Sequence, residues 1–149
     1  MAIKKSTYTG GLGRPALHSP YVANVPAEAI VEHVFTEAVG ATDILELAYL
    51  PAHCKILSAE LLTVGTAAVT FDVGFMSGRV GDPDPARTVG AELFDGVTPT
   101  TKQEAGIAAL AGIAASESDR SIGVVPSGTV AAAGTTKLFL RIRYAKGGQ

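Results

Sequence analysis

The chain has no tryptophan and a single cysteine, and aromatic residues make up only 6% of its 149 positions. One cysteine, Cys54, rules out an internal disulfide framework and any zinc site built from several thiolates. Its simplest role is that of a small buried hydrophobe. Without Trp, and with four Tyr and five Phe, few flat rings remain to stack on sugars, so a carbohydrate-binding module ranks low. An excess of positive charge is also missing. Twelve basic against 14 acidic residues leave a net charge of −2, which offers nucleic acid no attractive field. No apolar run approaches the ~20 residues of a bilayer-spanning helix. The opening MAIKKSTYTG lacks the apolar core of an export signal. A soluble protein with no membrane partner is expected. What the chain does have is 47% hydrophobic residues, mostly alanine and aliphatics, enough for one domain of this length to bury a core.

The organisation divides at residue 27. Residues 1–27 contain GGLGRPALHSPYVANVP, in which glycine and proline interrupt any helical or strand period. This is either a free terminus or an extended N-terminal arm that orders on a partner. The apolar residues Tyr8, Leu12, Leu17, Tyr21 and Val22 would anchor such an arm. Residues 28–149 change character, because from Ile30 onward the dominant period is two. Strands are predicted over residues 30–37, 44–50 (ILELAYL, stopped by Pro51), 55–64, 69–76, 121–130 and 137–144. In the last, Leu138, Leu140, Ile142 and Tyr144 share one face, with Arg141 and Arg143 on the other. One alanine-rich segment departs from this pattern. Ile107, Leu110 and Ile113 recur three apart, and Thr101 with Glu104 has capping-box spacing, so a short helix is predicted there. Gly106 and Gly112 each weaken it by ~1 kcal/mol relative to alanine. Short strands between Gly/Pro turns with one helix predict an all-β antiparallel sandwich.

Searches for chemistry return little. Residues 11–16 (GLGRPA) fit the dinucleotide fingerprint formally, but no buried strand precedes them and prolines follow. His18, His33 and His53 have no metal-ligand spacing. His53 and Cys54 are neighbours whose side chains diverge on a strand, and no G-x-S-x-G elbow occurs. A hydrolase would need a cleft assembled from His33, His53 and Asp72, which spacing alone does not supply. Asp82-Pro83-Asp84-Pro85 could present two carboxylates to a hard cation, yet the neighbouring side chains add no oxygen, while Ca²⁺ usually takes six to eight. A stiff turn is the simpler reading. No catalytic residue, cofactor or metal is expected. Glu92, Asp95 and Glu104 read as solvated acids near a loop and a helix start.

The order DILELAYLPAHCKILSAELLTVG, VTFDVGFMSGRVGDPD and RSIGVVPSGTVAAAGTTKLFLRIRY resembles the head-decoration, or cement, proteins of tailed bacteriophages. The matching features are a strand ending in Leu-Pro at Asp43–Pro51 and an A-E-L-L-T strand at Ala59–Thr63. After them come a D-V-G strand at Asp72–Gly74 with an acidic loop at Asp82–Asp84, and a closing R-x-R-Y strand at Arg141–Tyr144. The resemblance implies a jelly-roll-like β-sandwich on the outer capsid surface of the virion, made in the host cytoplasm. It implies a homotrimer that bridges neighbouring subunits of the major capsid protein. Candidate contact residues are Leu12, Leu17, Tyr21 and Val22 of the arm, with Asp82, Asp84 and Arg87 of the loop. A tail or head–tail joining protein is the alternative within the virion.

Overall fold

The structure is a computed structural model that describes residues 1–6, 8–10, 25–65 and 68–146. Among these described residues, nine strands and one helix follow in chain order. They begin with β1 (Ile3–Lys5), β2 (Pro26–Val34), β3 (Ile44–Leu50), β4 (Cys54–Val64) and β5 (Phe71–Phe75). Next are β6 (Phe94–Val97), β7 (Gln103–Glu104), the helix α1 (Ile107–Ala111), β8 (Arg120–Pro126) and β9 (Lys137–Lys146). The first sheet has the order β1-β3-β8-β5-β6 and the second the order β2-β9-β4-β7. From β2 to β9 this is the interleaved order of a double Greek-key jelly roll. β1 is an addition at the sheet edge, and it runs parallel to β3, a departure from the purely antiparallel expectation.

Period-two alternation places the core. Leu138, Leu140, Ile142 and Tyr144 of β9 are fully buried, as are Val31 and Leu61 on the strands flanking it. Facing them from the first sheet are Leu45, Leu47, Phe71, Val73, Ile122 and Val124. The Tyr144 hydroxyl is pushed up to about 12 by burial. Cys54 is wholly buried, and burial raises its thiol above the ordinary value.

Residue 27 proves not to be a clean boundary. Ile3–Lys5, read from sequence as arm, is a strand of the first sheet, and Pro26 and Ala27 already belong to β2. Ser6 and Thr9 extend the attachment, with the Thr9 hydroxyl donating to the Glu46 carbonyl at 2.6 Å. Leu12, Leu17, Tyr21, Val22, His18 and the GLGRPA run lie outside the described residues.

The helix also differs from its prediction. Gln103 and Glu104 pair with Leu61 and Glu60 of β4, so Thr101 caps nothing. The five-residue helix starts after Gly106, with no side-chain cap. Pairing with an open strand edge satisfies backbone groups that a glycine-interrupted helix would hold weakly.

Candidate functional site

The segment between β5 and β6 folds back over the outer face of the first sheet. Two glycines permit that approach. A Cβ on Gly123 would sit 2.6 Å from Met76 Cγ and 2.9 Å from Val89 Cγ2, and one on Gly74 would sit 2.3 Å from the Gly90 carbonyl oxygen. β3 is thereby covered on both sides, which explains why Ile44 and Glu46 are as buried as Leu45 and Leu47.

Glu46 is the centre of the arrangement. Its side chain is 0% exposed. Lys5 Nζ approaches Oε1 at 2.7 Å and Arg87 Nη1 approaches Oε2 at 2.5 Å. Ser121 Oγ donates to Oε2 at 2.8 Å, and the Gly81 amide donates to Oε1 at 3.1 Å. Burial pushes the Glu46 carboxyl up, but the hydrogen bonds from Lys5, Ser121 and Arg87 outweigh it and hold the carboxyl below the ordinary range. Arg87 has further partners. Its Nε donates to the Ser77 carbonyl at 2.7 Å, Nη1 to the Asp82 carbonyl at 2.8 Å, and Nη2 to Ser121 Oγ at 2.9 Å. Lys5 Nζ reaches the same Asp82 carbonyl at 3.2 Å. One buried carboxylate therefore joins β1, β3, β8 and the acidic loop.

This corrects the reading of Arg87 as a surface contact. It is 3% exposed and its charge is spent inside the molecule. Asp84 does stand at the surface and Asp82 is half-buried. Each caps the chain ahead of it: Asp82 Oδ1 accepts from the Asp84 amide at 3.0 Å, and Asp84 Oδ1 accepts from the Ala86 amide at 2.9 Å. The loop's shape is thus set from both sides, by Asx turns outside and by Glu46 beneath. Sequence reasoning missed Glu46 and Lys5. The signal available was a lone acid in ILELAYL, an otherwise apolar strand that has to find a cation once buried.

Among the described residues, no comparable loop covers the outer face of the second sheet. Ile30, Leu57 and Val64 are exposed there among ion pairs. Lys137 meets Glu32 at 3.3 Å, Lys102 meets Glu104 at 3.0 Å, and Arg141 reaches both Glu28 and Glu60.

The two described histidines lie on different elements. His33 lies on β2 edge-to-face with Phe35 at 4.9 Å, and burial lowers its pKa. His53 occupies the turn after β3 in the left-handed region, φ 63°. Asp72 accepts from the Gly96 amide at 2.7 Å. Among the described residues, no three His, Cys, Asp or Glu side chains are grouped as a metal site requires.

Over its full length the fold matches a chain in the solved structure of the capsid of Ralstonia phage GP4. The TM-score is 0.87, with 30% identity over 99% of this chain and 100% of that one. The chain belongs to that family of phage capsid proteins. A chain of the Cyanophage Pam1 capsid asymmetric unit shares the fold at a TM-score of 0.58, with 15% identity over 91% of this chain and 96% of that one. No family model and no curated protein matches the sequence. Among the described residues, the Asp82–Asp84 loop and the outer face of the second sheet stay at the surface once the fold is complete.

Proposed function

We propose that this structural virion protein is a cement protein, which binds the outside of a phage capsid as a homotrimer and stabilises it by bridging neighbouring subunits of the major capsid protein. The observation that carries the reading is the full-length likeness to a chain of the GP4 capsid at 30% identity. The chemistry supports it. The carboxylates, histidines and cysteine described above are engaged in structure or stand apart, which suits a protein that acts by contact.

In this reading Leu12, Leu17, Tyr21 and Val22 supply apolar contact with the shell, at ~25 cal/mol per Å² buried before ordering costs. Asp82 and Asp84 set the register. Their loop is already fixed by Asx turns and by the Glu46 cluster, so docking it orders little. Several subunits of one trimer engaging together then add avidity.

Quantitative mass spectrometry of purified source particles tests the role. A fixed, high ratio to the major coat protein is expected, whereas a few copies per particle would overturn decoration in favour of a tail or joining part. The contact residues are tested by replacing residues 11–24 with a Gly/Ser linker, which keeps β1 and β2 in place. The expected product is folded and no longer binds shells. Undiminished binding would remove the segment from the interface.

A further inference from the structure

We propose that strand β1 and the acidic loop (residues 78–87) open and close as one unit, coupled through the buried Glu46 carboxylate, so that loosening either element loosens the other. Lys5 and Asp82 are 77 positions apart in the chain. Their coupling makes Glu46 a latch between the N-terminal strand and a surface loop.

Each element by itself is weakly held. β1 is three residues long, half-buried throughout and at the edge of its sheet. In and beside the loop, residues 77–79 and 83–86 are exposed, so little apolar burial opposes local opening. What holds both is the same carboxylate. Register puts Lys5 directly beside Glu46. Lys5 Nζ then spans two acceptors, Glu46 Oε1 at 2.7 Å and the loop's Asp82 carbonyl at 3.2 Å. The polar contacts of Gly81, Asp82 and Arg87 that reach another strand end on Glu46, Lys5 or Ser121.

Losing one element removes what the other needs. Undocking β1 withdraws Lys5 from Oε1 and from the Asp82 carbonyl, and it opens the β3 edge to water. A buried ion pair is strong only while water is excluded and its remaining oxygens are satisfied, so the hold of Arg87 on Glu46 weakens and the loop is freed. Lifting the loop instead takes away the Arg87 guanidinium and the Gly81 amide. Lys5 then faces a hydrated carboxylate, and such pairs contribute little. The strands that carry Glu46 and Ser121 do not take part in the opening, because their Leu45, Leu47, Ile122 and Val124 are at most 1% exposed in the core. Anything that holds one element in place therefore stabilises the other, and the effect is reciprocal. In the cement reading, which this consequence alone requires, a coat subunit seated on the acidic loop also steadies β1.

Amide hydrogen exchange of the full chain, free of any shell, tests the coupling. The Ser6 amide donates to the Glu46 carbonyl at 3.1 Å and reports β1, while the Gly81 amide donates to Glu46 Oε1 at 3.1 Å and reports the loop. Lys5→Met should speed exchange at both amides by about tenfold. Asp84→Ala removes an exposed turn-forming acceptor of the loop and should speed both by about fivefold. Lys4→Met takes a charge from the same strand, but Lys4 pairs with Glu37, so Gly81 should stay within about twofold of the wild type. Exchange at Gly81 that ignores Lys5→Met, or at Ser6 that ignores Asp84→Ala, overturns the proposal. So does a Gly81 response to Lys4→Met as large as the response to Lys5→Met. Failure here leaves the cement reading standing, and loss of that reading by particle mass spectrometry leaves the coupling standing.

Discussion

The two sheets present opposite outer faces, although both use carboxylates and cations. On the first sheet, Glu46 and Arg87 meet at 2.5 Å with side chains 0% and 2% exposed, under a loop that excludes solvent. On the second, Glu32 and Lys137 meet at 3.3 Å with 44% and 40% exposure. Water screens the second pair and makes it nearly neutral in energy, while the first stands or falls as a unit. The comparison teaches that an ion pair's place decides its task. The buried cluster fixes the loop's shape, and the exposed pairs stay in contact with water.

The strongest way to break this contrast is Glu46→Ala, which leaves Lys5 and Arg87 without their shared anion. A loss of about 3–5 kcal/mol is expected from urea unfolding, and a loss below about 1 kcal/mol would mean the cluster is not a structural unit. Next is Gly123→Val, which forces Met76 and Val89 outward at a cost of about 1–3 kcal/mol. Crosslinking or proteolysis of the 77–92 loop should report its displacement, and unchanged protection would mean the loop does not rest on Gly123.

A pH series sharpens the same comparison. The folded-state Glu46 carboxyl lies below its ordinary value of 4.5, so its stabilisation is complete above that value and drains away as pH falls through the folded-state value. Glu46→Gln should therefore be less stable than the wild type at neutral pH and lose less on acidification. Parallel curves would remove Glu46 as the acid-sensitive group. The smallest effect is expected on the second sheet, where Lys137→Met should change stability by less than about 1 kcal/mol. A larger loss would show that the open face is held as tightly as the covered one.

The long strands were legible because one face of each is buried. β3, β4 and β9 lie where alternation and Pro51 put them, and the two faces of β9 are assigned correctly. Other elements escaped for physical reasons. β1, β6 and β7 are two to four residues long, too short to show a period. β7 exists because an edge of β4 was available, which no local pattern records. Arg87 looked like a surface residue because its partner lies 41 positions away, across a fold the sequence does not display. The chain turns at Gly78, whose φ is 79°, yet nothing local announced that the following loop would lie flat on the sheet. Glu46 was the one clue, an acid placed where every neighbour is apolar.

The attachment of β1 changes what the N-terminal segment is in polymer terms. With Ile3–Lys5 fixed in one sheet and Pro26–Val34 in the other, residues 11–24 are bounded at both ends by the domain and form a closed span. Closing such a span is an entropy cost met once, on folding, and it grows only slowly with length. A single cut within it would leave β1 held by hydrogen bonds and Glu46 alone, as a non-covalent peptide that copurifies with the domain until acid or denaturant releases it.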